Sequence, residues 1–123
     1  MESNRFFDIT ADTRWKIIAQ DPGQWRIGIY RPEYAGEKDI RELEKHTCPE
    51  LFICAEGNMG IIIKEDGAEE IRILKPGEAA MLSGYHNGFC ASDSGYFIVA
   101  ERTSFSTEFI DRTTGLFLRS EGA

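Results

Sequence analysis

Histidine is nearly absent from this chain: of 123 residues only His46 and His86 carry an imidazole. There are three cysteines, Cys48, Cys54 and Cys90, an odd number without C-x-x-C spacing. That fits reduced thiols better than a disulfide framework. Basic clusters are missing as well. Lys and Arg number 14 against 21 Asp and Glu, for a formal charge of −7, so phosphate backbones repel the protein and a nucleic-acid partner is not expected. No apolar run approaches membrane-spanning length, so no membrane partner is expected either. The opening residues lack a charged-then-apolar signal pattern, and the expected location is the cytoplasm.

What is present is a succession of short apolar stretches separated by turn chemistry. Hydrophobic residues make up 41% of the chain, enough for one domain, residues 1–123, to bury a core without staples. Strands are expected at Trp25–Tyr30, Glu50–Ala55, Gly60–Lys64, Glu70–Leu74, Ala79–Leu82 and Tyr96–Glu101. Between them stand Asp21-Pro22-Gly23, Gly57-Asn58, Asp66-Gly67 and Lys75-Pro76-Gly77, all turn formers. Phe6–Ile9 reads as an edge strand. Trp15–Ala19 fits strand or helix. Residues 31–40 form a polar loop, a candidate cover for a site. The tail, Phe105 to Leu118, reads as a hairpin that packs on the body of the fold or on a partner subunit, and a homodimer is expected. The spacing as a whole predicts an all-β sandwich or barrel.

The chemistry concentrates between Glu44 and Gly57. If residues 42–46 are extended, Glu42, Glu44 and His46 share one face. A buried carboxylate without a partner is costly, so an inward face would need a cation or a hydrogen-bonding ligand. Carboxylate and imidazole donors together suit Fe, Mn, Ni or Zn. An outward face would instead make the acids a solvated surface with the histidines at turns. Spacing alone leaves both readings open.

The run His46-Thr47-Cys48-Pro49-Glu50, followed six residues later by Gly57, resembles the second half of the first cupin motif, G-x5-H-x-H-x3,4-E-x6-G. Glu44 stands where that motif has its first histidine. Gly77 and His86 resemble parts of the second motif, with Ser83 in place of its proline and Cys90 at its asparagine position. The resemblance covers about residues 25–102. It implies a double-stranded β-helix, or jelly-roll barrel, with N- and C-terminal segments outside that core. It also implies a divalent metal held by His46, Glu50, His86 and the altered position Glu44. Isomerase, lyase and dioxygenase chemistry all occur on that fold. Glu44, Tyr30 and Tyr85 are the candidate catalytic groups, acting on a small polar molecule. A metal-free cavity that binds or senses a small ligand such as a sugar, and a non-catalytic structural dimer, are the other readings.

Overall fold

Alternating apolar residues and two-residue turns produce eleven strands among residues 4–122, the residues described in the computed structural model. They are β1 (Trp15–Asp21), β2 (Trp25–Tyr30), β3 (Glu42–His46), β4 (Glu50–Glu56), β5 (Met59–Glu65), β6 (Ala68–Leu74), β7 (Ala79–Leu82), β8 (Tyr85–Cys90), β9 (Tyr96–Arg102), β10 (Ser106–Asp111) and β11 (Phe117–Gly122). One 3-10 turn, Glu37–Asp39, is the only helical element among the described residues, so no helix there could cross a membrane. The strands form two antiparallel sheets, ordered β1-β2-β9-β4-β7 and β11-β10-β3-β8-β5-β6. This is the all-β architecture that the strand spacing predicts and the jelly roll that the cupin resemblance implies.

Local chemistry sets the connections. Asp66 (φ 49°) and Gly67 (φ 78°) both adopt positive φ, the requirement of a tight turn that matches strand twist, and they join β5 to β6 in register. Gly57 (φ 72°) follows β4, and a Cβ there would lie 2.1 Å from the Ser94 carbonyl oxygen. Backbone cannot yield as a flexible side chain can. Gly57→Ala should therefore destabilise the protein by about 2–4 kcal/mol, measured as a lower urea midpoint. An unchanged midpoint would show that this turn relaxes freely.

Between the sheets, every second residue packs inward: Phe52 and Cys54 of β4, Met59 and Ile61 of β5, Phe97 and Val99 of β9. The opposite face of the six-stranded sheet is apolar too, with Leu43, Ile62, Phe89 and Ile110 in a second cluster. That face needs a cover, and residues 31–41 supply it through Ile40 and Tyr34. The segment therefore covers the back of that sheet, while Pro32 at its start packs beside Gly88 on the inner face. Arg112 fastens it, donating to the Ile40 carbonyl at 3.1 Å and to the Glu37 carboxylate, while also pairing with Glu69 at 2.9 Å.

One terminal expectation changes. Phe6–Ile9 forms no strand, and Phe6 is 98% exposed. The polar residues that follow bond locally instead: Thr13 donates to the Trp15 carbonyl, and Lys16 donates to Thr10. Trp15–Ala19 resolves as strand, paired with β2. The tail is no appendage. β10 lies between β3 and β11, opposing Thr107 to His46 and Phe109 to Glu44, so both sheets extend beyond residues 25–102.

Candidate metal centre

Strand parity and sheet crossing assemble the polar site. On β3, Glu44 and His46 point between the sheets, and Glu44 is the register partner of His86 on β8. The Thr47–Pro49 turn carries the chain across to β4 in the other sheet, which delivers Glu50 from the opposite wall. Glu44, His46 and His86 each offer one ligand atom within 4.8 Å of the others. Glu50 Oε1 stands 2.8 Å from His46 Nε2 and 3.1 Å from His86 Nε2, and Glu44 Oε1 is 3.5 Å from His46 Nε2. Donors bound to one ion at about 2.1 Å and at right angles or tetrahedral angles are roughly 3.0–3.5 Å apart, so these spacings suit a shared cation.

The hydrogen bonding also fits one. His86 is 2% exposed, and its Nδ1 lies 2.9 Å from the Gly84 carbonyl oxygen. A carbonyl only accepts, so Nδ1 carries the proton. In the neutral ring Nε2 is then a bare lone pair. That lone pair faces Glu50 Oε1, itself an acceptor on a residue only 4% exposed. Among the described residues, these two are the buried side-chain polar atoms without a hydrogen-bond partner. Two acceptors pressed together out of water are costly unless a cation or proton lies between them. His46 is fixed similarly, with Nδ1 2.7 Å from the Thr107 hydroxyl. Both imidazoles thus present Nε2 to one point, each with its other nitrogen anchored.

Charge follows geometry. Burial opposes ionisation of His46, but the adjacent Glu44 and Glu50 carboxylates overcome it and push its pKa up to about 10. Burial likewise disfavours the Glu50 carboxylate, yet His46 and His86 hold its pKa well below the usual carboxylate range. Without a cation, the site keeps a proton on His46.

A cavity of about 170 Å³ opens beside this centre. Glu44, His46 and Glu50 line it, and so does Tyr30, whose ring stacks on Phe97 and meets Phe52 edge-on. Burial and then the Glu44 charge push the Tyr30 phenol upward, which keeps it a hydrogen-bond donor. Tyr85 is not brought to the site. It neighbours His86 in sequence and so faces the opposite side of β8, where its hydroxyl donates to Glu108 at 2.7 Å. Glu42 shares parity with Glu44 but is engaged by Arg119 in a two-pronged pair at 3.0 Å, away from the histidines. The acidic-surface alternative therefore holds for Glu42 and fails for Glu50.

Two groups in the cavity lie outside the histidine motifs. Glu101, 7% exposed, pairs with Arg26 at 2.6 Å. Burial and the neighbouring Glu50 push its pKa up to about 7, against the pull of Arg26. Strand parity carried the signal: Glu101 shares a face with Phe97 and Val99, and Arg26 shares one with Gly28 and Tyr30.

No protein-family model matches the chain, and no curated protein does. Solved structures do. A cupin-2 domain protein from Shewanella frigidimarina superposes with a TM-score of 0.56 at 16% identity, covering 78% of this chain and 84% of that one. KdgF from Halomonas sp. gives 0.56 at 14% identity over 80% and 87%. The cobalt(II) form of HppE in complex with substrate gives 0.56 at 13% identity over 78% of this chain and 57% of that protein. At these identities the likeness establishes the fold, and the chemistry rests on this chain's own side chains.

Proposed function

We propose that this chain, which has the cupin fold, holds one divalent metal ion at His46, His86, Glu50 and Glu44 and uses it to bind a small polar molecule in the adjoining cavity. The observation that supports this most directly is the convergence of His46 Nε2, His86 Nε2 and Glu50 Oε1 from opposite sheets, at 2.8 and 3.1 Å from the carboxylate, with the buried His86 Nε2 left without a donor. Fe, Mn, Ni and Zn all suit two imidazoles and two carboxylates. When bound, such an ion supplies a Lewis acid that polarises an oxygen of the bound molecule.

The protein groups have separable tasks. Thr107 and the Gly84 carbonyl orient the two rings. Tyr30, kept protonated, donates a hydrogen bond into the cavity. Glu44 is the most solvent-accessible of the four ligand candidates, with a side chain 32% exposed, and it is placed to exchange a proton with a bound molecule. Phe52 and Val99 dry the inner wall.

Protein purified from metal-supplemented medium should contain close to one divalent metal per chain by elemental analysis. Metal-replete protein that carries none would overturn the metal reading and leave a metal-free small-ligand cavity. The open outer edge of β11, with Leu116 and Phe117 exposed beside it, supports pairing of two copies. Light scattering at the mass of a monomer at all concentrations would remove that part.

A further inference from the structure

The cavity wall opposite the histidines is built around one guanidinium. Arg26 lies between two aromatic rings, with its guanidinium carbon 5.7 Å from the Trp15 ring centre and 5.3 Å from that of Phe105. Glu101 Oε2 takes its Nε at 2.7 Å and its Nη2 at 2.6 Å. Nη1 has no protein partner among the described residues. Rings on two sides and a carboxylate at one edge fix a long side chain that would otherwise lose much rotamer entropy on binding.

The local sequence is shaped to allow this. Trp15 reaches Arg26 only by lying over Gly28, where a Cβ would come within 2.3 Å of the indole. β1 is thus part of the site and not merely an extra edge strand.

The charge count completes the case. Three carboxylates line the cavity, Glu44, Glu50 and Glu101, together with two guanidiniums, Arg14 and Arg26. A divalent ion and Arg26 balance those three carboxylates, and Arg14 is paired with Glu33 at the rim, so the loaded cavity no longer repels an anion. Arg14 stands at the rim, 3.9 Å from Glu33 and mostly exposed. The cavity volume of about 170 Å³ has room for a short skeleton.

We propose that Arg26 is the recognition group for a small carboxylate, so that the bound molecule is a short-chain hydroxy- or keto-acid held by the metal at one end and by the Arg26 guanidinium at the other. This rests on the metal reading above. The planar fork of Arg26 suits carboxylate geometry in a way that an ammonium does not.

Calorimetric titration of the metal-loaded protein with lactate, pyruvate and the neutral isostere lactamide tests it, with metal content measured on the same samples. Lactate or pyruvate should bind at least about tenfold more tightly than lactamide. Arg26→Lys should erase that preference while metal content stays at the wild-type level. The double variant Arg26→Gln/Glu101→Gln removes the ion pair from both sides and leaves no buried charge unpaired, so it keeps the test valid should the single change unfold the chain. Equal binding of acid and amide, no binding of either acid, or an intact preference in Arg26→Lys would each overturn the assignment. Failure of the metal reading would appear separately, as protein with no metal in it.

Discussion

His86→Gln should lower the affinity for divalent metal by at least about a hundredfold while the chain stays folded. Loss of a partner that merely orients a ligand already costs 10–100-fold, so loss of a donor atom should reach or exceed that range. Glutamine is the better probe because His86 is buried against Phe52, with ring centres 5.6 Å apart, and alanine would leave a hole there. Glu44 provides the contrast. It lies at the mouth, 3.5 Å from His46, so Glu44→Gln should cost only about tenfold if its carboxylate completes the set. Glu44→His would restore the histidine pair of the cupin motif and remove one negative charge, shifting preference toward zinc and nickel over manganese. Competition against a chromophoric chelator measures all three. Wild-type affinity in His86→Gln would eliminate His86 as a ligand.

This site was partly visible in the sequence, for physical reasons that differ by residue. Glu44 and His46 follow from period-two alternation once residues 42–46 are extended, and His86 follows from being the only other imidazole. Glu50 is different: its count from His46 breaks at Pro49, where the chain changes sheets, and only the motif resemblance placed it. Arg26 and Glu101 were hidden because their pairing spans 75 residues and two separate strands. Each lies on an inward-facing parity, but parity alone does not say which end of a strand reaches the cavity. Tyr85 shows the same limit in reverse. A shift of one residue at the Ser83-Gly84 turn decides whether Tyr85 or His86 faces inward, and the turn residues do not encode it. The covering role of Ile40 and Tyr34 was hidden, since Leu43 and Ile62 look like ordinary strand residues until the back of the six-stranded sheet is seen to need a cover.

Metal-free protein should lose stability in alkali where metal-loaded protein does not. His46 titrates in the folded apo protein near 10, above the ordinary 6.5, because Glu44 and Glu50 stabilise its charged form. A raised folded pKa means that folding favours the protonated ring. Its contribution is fully present below about pH 6.5 and is lost as pH climbs toward 10. Glu101, raised from 4.5 to about 7, adds a loss in the same direction but at lower pH, between about 4.5 and 7. Glu50 acts oppositely: its depressed pKa gives stability above the usual carboxylate range that disappears as pH falls. From pH 6.5 to 9 the His46 effect therefore dominates. Solvent at the cavity mouth screens it, so the expected loss is of order 2 kcal/mol and not the full value of the shift. For a chain of this length that is roughly 5–10 °C in melting temperature. A bound divalent ion takes the place of the His46 proton, so loaded protein should show no such slope, and metal stabilisation should grow with pH as fewer protons compete. Melting curves of chelator-treated and reloaded protein from pH 6.5 to 9 read this directly, with His46→Gln as a control that should be flat when metal-free. Parallel slopes in the two forms would mean that metal and proton do not compete for His46, and the ion would then have to sit elsewhere.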